Sequence, residues 1–455
     1  MKTKITACIL MAVLLLTLVL PVGAAPIARP DTSSAVSVLL YNLDCDTVVY
    51  RQDSDKLVLP ASTVKIMVAL LAIEHFENTP EGFDTLITIP HEVIRNSQGL
   101  NMELRRGEVI SARDLIAGMV IAGANDAAYT LALAIDGSID AFLDRMNQKA
   151  RELGMQNTVF YNVSGLDEKP STTADDLLIL GKIAYQNAYY MELAATTKYN
   201  IDATNEHAKR TLYTRNYLLS RQTYADYYYA PATGMNAGAT ESAGYCIVAS
   251  AHIHNQNYLC IVMGASDYNS FRYAKQLFEW VSQTHGYRSV LSERNILSEI
   301  PVSLGAGADY VTIIPKSEVV CFMPLSLDLS TTLAIETEMY FDHLTAPVKA
   351  GLIVGKATVF LEGEQIAVVD IVTASSLSRD HSAHLSRRIR NFLQSTGFLL
   401  IVLGILLLGT VYVLVVARIR YLRMVKQIME VPDETEIPPS HNHPQLPSRS
   451  DKEHH

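Results

Sequence analysis

Residues 397–417 carry no charged side chain. As a helix rising 1.5 Å per residue, that run spans about 30 Å, the thickness of a bilayer's hydrocarbon core. A buried helix of a soluble domain rarely runs so far without a charge, so the segment reads as a transmembrane helix. Arg418, Arg420, Arg423 and Lys426 follow directly, and such a basic cluster marks a cytoplasmic end. The start of the chain agrees. Lys2 and Lys4 precede an apolar stretch over residues 5–22, and Val22-Gly23-Ala24 supplies small residues for cleavage. Residues 1–24 therefore read as a secretory signal peptide. The chain is expected to be a single-pass protein of the cell membrane with its main body extracytoplasmic.

That body is large enough for two or three domains within a chain of 455 residues. Residues 36–43 and 47–51 read as strands around an Asp44-Cys45-Asp46 turn. Helical patterns follow over 112–122 and 138–153; between them Gly123-Ala124-Asn125-Asp126-Ala127-Ala128 opens a helix through Ile135, and a further one, capped by Thr172 or Thr173, runs to Tyr185. Strand character returns over 244–251 and 258–265, joined by residues 252–257, and a helix over 270–284 closes the region. Strands at both ends of a helical middle predict an α+β domain, residues 25–290, with an antiparallel sheet covered by helices. Residues 291–378 change to short alternating strands, over 310–314, 319–323, 333–339, 357–361 and 366–372, with Glu362-Gly363-Glu364 as a hairpin turn. They predict a small all-β domain. Residues 379–396 form a basic juxtamembrane segment with Arg387, Arg388 and Arg390. Residues 418–455 form a cytoplasmic tail, expected to be disordered from Val431 on.

Composition narrows the chemistry. The net charge is −10, and no basic stripe with interleaved aromatics appears, so nucleic acid is not an expected partner. Cys45, Cys246, Cys260 and Cys321 lie beyond the signal segment that holds Cys8, and none has metal-site spacing. His252 and His254 alternate at a strand end without a third ligand nearby, and read as a solvated hairpin. No metal and no cofactor is expected.

The stretch with reactive potential is Pro60-Ala61-Ser62-Thr63-Val64-Lys65, followed by the apolar run 66–71. Pro60 and Ala61 suit a helix start, which places Ser62 in the first turn. Lys65, three residues on, shares its face. A serine hydroxyl needs a neighbour to take its proton, and a desolvated lysine amine can do so.

Further segments join it in order. Pro60-Ala61-Ser62-Thr63-Val64-Lys65 resembles the first motif of the serine-type D-Ala-D-Ala carboxypeptidases, the low-molecular-mass penicillin-binding proteins. Asn125-Asp126-Ala127-Ala128 is similar to the end of the family's second motif. Asn162-x-x-Gly165-Leu166, Thr172-Thr173-Ala174-x-Asp176-Leu177 and Arg210-Thr211-Leu212-Tyr213-x-x-Asn216-x-Leu218-Leu219 look like family segments. Gly238-x-Thr240-x-x-Ala243-Gly244-Tyr245-Cys246 resembles the strand of the third motif. Ala346-Pro347-Val348-Lys349-x-Gly351 resembles part of the family's C-terminal domain. The resemblance spans roughly residues 35–417. It implies a β-lactamase/transpeptidase-like domain, a peptidoglycan stem peptide as substrate, and β-lactams as covalent ligands. It makes Ser62 the nucleophile and Lys65 its base. The backbone N–H groups of Ser62 and Ala239 become the oxyanion hole. Asn125 becomes a hydrogen-bonding partner of the substrate or the lysine, and Asn236, Gly238, Ala239 and Thr240 become the substrate strand.

Two departures from the family pattern stand out. The second motif's serine is Gly123, which cannot relay a proton to the leaving amine. The third motif's Lys-Thr-Gly reads Asn236-Ala237-Gly238, so the cation and hydroxyl that attract a terminal carboxylate are absent. Losing one charge-assisted contact costs about 1.5–3 kcal/mol, roughly 10- to 150-fold. Arg215, in the matched 210–219 segment, is a candidate substitute cation or else a surface arginine. Two readings follow: a membrane-anchored carboxypeptidase that forms an acyl-enzyme on Ser62, or a catalytically impaired relative that binds peptidoglycan or a partner protein.

Overall fold

The structure is a computed structural model that describes residues 27–166, 168, 169 and 171–429. The expected signal peptide at 1–24 and the tail from Val431 lie outside the described residues. The chain divides into two compact units, one holding the residues up to Val290 together with 319–333, the other holding 291–318 and 334 onward.

The first unit is built on a five-stranded antiparallel sheet. Its strands are β1 (Ser37–Asn42), β2 (Thr47–Gln52), β3 (Ala232–Thr240), β4 (Gly244–Ile253) and β5 (Gln256–Ala265), in the order β2-β1-β5-β4-β3. β1 and β5 pair from Ser37 with Met263 to Asn42 with Tyr258, which joins the two ends of the domain. Both faces of the sheet are covered, so its inner strands read as continuous apolar runs rather than alternating ones. Leu39, Tyr41, Val248 and Ile261 face a core shared with the helices 65–77, 112–122 and 125–136. Val38, Leu40, Ile247 and Val262 face the other core, against the helix 269–284.

The helices over 112–122, 138–153 and 270–284 fall where expected, while those at His91–Asn96 and Ala188–Ala195 were not expected. α1 (Lys65–Glu77) is buried on nearly all sides and forms the centre of the unit. α2 (Ala112–Ala122) starts at Ser111, whose side chain accepts from the Asp114 N–H, and ends at Gly123 in the left-handed region. α3 (Asn125–Asp136) follows after two connecting residues, Gly123 and Ala124. α4 (Ile139–Leu153) is capped by Ser138 and α5 (Ala174–Gln186) by Thr173. α6 (Asn269–Thr284) covers the second face.

The hairpin after β4 is tighter than expected. Residues 252–257 do not form a loop: His252 pairs with Asn257 inside the ladder, and only His254 and Asn255 turn. Both have positive φ, 49° and 61°, the geometry of a two-residue hairpin turn.

In the second unit, β6 (Ser298–Ser303), β7 (Tyr310–Pro315), β8 (Leu333–Met339), β9 (Leu344–Thr345), β10 (Ile353–Leu361) and β11 (Glu364–Thr373) form a six-stranded sheet, ordered β8-β10-β11-β7-β6-β9. Glu362 and Gly363, with φ of 51° and 87°, form the expected turn between β10 and β11. The strand Val319–Pro324, expected in this β domain, pairs instead with His285–Leu291 and groups with the first unit. The basic segment is itself helical, α7 (His381–Leu393), and α8 (Thr396–Met429) extends well past the uncharged run. Residues 396–426 of α8 are long and apolar enough to cross a membrane.

Candidate active site

Ser62 lies in a single 3-10 turn, Ala61–Val64, rather than in the α-helix itself, which starts at Lys65. Residues three apart eclipse one another in a 3-10 turn, so the two side chains meet. Lys65 Nζ is 3.0 Å from Ser62 Oγ. The turn begins under strain: Ala61 has φ of +47°, a conformation that costs an L-residue about 1 kcal/mol or more. Thr63 Oγ1 braces it by donating to the Pro60 carbonyl at 2.6 Å.

Lys65 is 1% exposed. Its second polar contact is the Ser164 carbonyl, to which Nζ donates at 2.7 Å. Burial alone lowers its pKa, from 10.5 to about 7. Keeping the ammonium charged there costs about 5 kcal/mol more than in water. The amine is thus available as a neutral base near neutral pH, within reach of the Ser62 hydroxyl.

Asn125 is the first residue of α3. Its N–H donates to the Leu100 carbonyl at 2.6 Å, and Nδ2 donates to the Gln98 carbonyl at 2.5 Å. Asp126 ties the same loop to the helix by accepting from the N–H groups of Met102 and Leu104 at 3.0 and 3.1 Å. Behind that loop, buried Glu108 pairs with Arg210, which also donates to the Met102 carbonyl at 3.0 Å. Asn125 Oδ1 is buried with no hydrogen-bond partner. Gly123 has φ of +71°, and a Cβ there would lie 3.7 Å from Leu100 Cδ1. Among the described residues beyond its chain neighbours, the only atom within 4 Å of that position is this apolar methyl, at ordinary van der Waals distance.

β3 is an edge strand, and it runs beside the 3-10 turn. Gly238 faces Ser62: a Cβ on it would stand 2.3 Å from Ser62 Cβ. Asn236, two residues back on the same face, is 4% exposed and its Oδ1 has no partner. Ala239 pairs with Tyr245. Thr240 Oγ1 accepts from the Ala243 N–H at 2.9 Å and closes the β3–β4 turn.

Arg215 is exposed, and its N–H donates to the Ile121 carbonyl at 3.1 Å. It lines an open cleft of about 520 Å³ with Leu100, Asn101, Ala122, Tyr213 and Tyr224, among others, and no carboxylate lines that cleft. No hydrogen bond joins Arg215 or Thr240 to Ser62 or Lys65.

Ser62, Lys65 and Gly238 are thus gathered at one point, Asn236 lies two residues from Gly238 on the same strand face, and Asn125 and Asn236 each hold an unpartnered buried carboxamide oxygen. The Ser164 carbonyl is the group that residue-type reasoning misses, because a backbone acceptor leaves no mark in the sequence. The Asn162-x-x-Gly165 segment around it was the available signal.

Comparison with known proteins gives the frame. The D-alanyl-D-alanine carboxypeptidase family matches residues 24–267, and the family of the penicillin-binding protein 5 C-terminal domain matches residues 288–379. Among similar sequences, D-alanyl-D-alanine carboxypeptidase DacF of Bacillus subtilis is 26% identical over 76% of this chain and 86% of its own. DacC of Escherichia coli is 29% identical over 74% and 84%. Among solved structures, penicillin-binding protein 5 of Haemophilus influenzae superposes with a TM-score of 0.56, at 22% identity, over 78% of this chain and all of its own. That likeness bears on the fold, where the α+β unit and the sheet-rich second unit agree with it. The chain belongs to the D-alanyl-D-alanine carboxypeptidase family of serine peptidases, the low-molecular-mass penicillin-binding proteins.

Proposed function

We propose that this protein cleaves the bond between the last two D-alanines of peptidoglycan stem peptides through an acyl-enzyme on Ser62. The observation that carries the reading is the 3.0 Å approach of a fully buried, near-neutral Lys65 amine to Ser62 Oγ. Lys65 takes the hydroxyl proton while Oγ bonds to the scissile carbonyl carbon. The N–H groups of Ser62 and Ala239 receive the developing oxyanion. The carbon–nitrogen bond then breaks and D-Ala leaves, with the proton returning from the Lys65 ammonium to the departing nitrogen. Water releases the shortened peptide. Gly238 lets the substrate strand lie against the nucleophile. Asn125 Oδ1 and the β3 groups of Asn236 and Thr240 are the hydrogen-bonding partners of the peptide, and Arg215 receives its terminal carboxylate. β-Lactams acylate the same oxygen. Thr396–Met429 anchors the protein in the membrane, with both folded units outside the cytoplasm.

The second reading, an impaired family member that binds peptidoglycan or a partner protein, is favoured by Gly123, which has no side chain, and by neutral Asn236 and Ala237. Release of D-Ala from a synthetic D-Ala-D-Ala peptide by the detergent-solubilised full chain decides between them. Release abolished by Ser62→Ala supports the enzyme; peptidoglycan binding without release supports the second reading.

A further inference from the structure

The Ser164 carbonyl that holds Lys65 is itself held. Asn162 Oδ1 accepts from the Ser164 N–H at 2.8 Å, the Ser164 hydroxyl at 3.2 Å and the Gly165 N–H at 2.6 Å. One oxygen thus gathers three donors and folds residues 162–165 into a tight turn. The turn is seated against the nucleophile's own backbone. Gly165 has φ of +84°, and a Cβ on it would fall 1.8 Å from the Ala61 carbonyl oxygen, so no other residue permits this approach. The outcome is a carbonyl fixed 2.7 Å from Lys65 Nζ.

We infer that Asn162 is a positioning residue for acylation, acting through the Ser164 carbonyl to orient the Lys65 amine. A neutral amine has two N–H groups and one lone pair. A carbonyl can only accept, so it takes an N–H and never the lone pair. With one N–H pinned on Ser164, the amine cannot spin freely, and its lone pair is kept for the Ser62 hydroxyl. A carbonyl also brings no net charge. A carboxylate in that place would hold the lysine protonated and remove it as a base. The groups that face Nζ are Ser62 Oγ and the Ser164 carbonyl, and no charged side chain contributes to the lowered pKa. This inference rests on the Ser62–Lys65 reading above and extends it to a residue that touches neither the substrate nor Ser62.

The test uses the full chain in detergent, a fluorescent penicillin and NMR titration of isotope-labelled lysine side chains. Asn162→Ala is expected to lower the acylation rate constant about 10- to 100-fold, as loss of orientation does, with the constant for reversible binding changed less than about threefold. Its Lys65 titration should fall below the wild-type midpoint, because an acceptor of the ammonium has been loosened. Asn162→Asp keeps all three acceptor bonds and is expected to recover the plateau rate at high pH, with Lys65 titrating above the wild-type midpoint because of the added negative charge. A purely structural asparagine would leave the Lys65 titration in place in the alanine variant. Wild-type acylation and titration in Asn162→Ala would overturn the inference, as would a rate loss that Asn162→Asp fails to recover. Should the alanine variant not fold, Asn162→Thr, which retains one acceptor, is expected to show the same effects in smaller degree; no effect would overturn the inference. If penicillin does not acylate the wild type at all, the Ser62 reading fails, while the titration arm still decides the Asn162–Ser164–Lys65 linkage.

Discussion

Gly238 and Ser62 are in contact through the absence of a side chain. A Cβ on Gly238 would lie 2.3 Å from Ser62 Cβ, 2.6 Å from its Oγ and 3.1 Å from its backbone nitrogen. Two of those atoms are fixed by the backbone of the strained 3-10 turn, so rotating the serine does not relieve the clash. Gly238→Ala should push β3 away from the nucleophile. We expect penicillin acylation to drop about 100-fold or more and stability to fall by about 1–3 kcal/mol. Stopped-flow acylation and thermal unfolding measure the two effects, and an alanine variant that acylates normally would mean the strand does not flank the reacting oxygen.

Lys65 is held at a cost to stability. Its pKa is about 7 in the folded chain against 10.5 when free. Between those values the unfolded chain binds a proton that the folded chain does not, so this residue makes stability fall as pH drops from 10.5 towards 7 and then level off. Lys65→Met should therefore stabilise the protein by a few kcal/mol below about pH 7, with the gain fading as pH rises, and should abolish acylation. In the wild type, acylation should rise with pH through about 7 as the amine loses its proton. Denaturant unfolding at several pH values checks the first point; a methionine variant less stable than wild type under acid conditions would contradict it.

Asn236 and Ala237 put a neutral carboxamide and a methyl group on the strand beside Ser62. The double substitution Asn236→Lys with Ala237→Thr should raise penicillin acylation by about 10- to 150-fold, the worth of one charge-assisted contact. An unchanged rate would show that the penicillin carboxylate is received elsewhere.

Arg215 is the cation proposed above to receive that group. It makes no ion pair among the described residues and lines a cleft without carboxylates. Arg215→Ala should raise KM for a D-Ala-D-Ala peptide with a free terminal carboxylate by about tenfold or more, and should affect the corresponding amide less. Equal losses on both peptides would assign the arginine no carboxylate contact.

Much of this site was legible from residue types and spacing. Ser62 and Lys65 stand three residues apart, a spacing that brings them together, and Thr173 caps the helix Ala174–Gln186 as its residue type suggests. The apolar runs of β4 and β5 were legible as strands because a sheet covered on both faces needs no alternation. What escaped depends on backbone geometry. The left-handed Ala61, the two-residue turn at His254 and Asn255, and the Ser164 carbonyl are conformations that other sequences also permit. The partner of Val319–Pro324 escaped for a related reason. Strand pattern gives the face that a residue occupies but not the strand it joins, and here the pairing runs to His285–Leu291 in the first unit.

Every rate expected above depends on acylation of Ser62 Oγ. Peptide-mapping mass spectrometry of the full chain after incubation with penicillin tests it directly. One covalent adduct is expected, on the peptide containing Ser62, that forms faster as pH rises through about 7 and is absent in Ser62→Ala and in Lys65→Met. An adduct on another residue, or none on a folded wild-type chain, would contradict it.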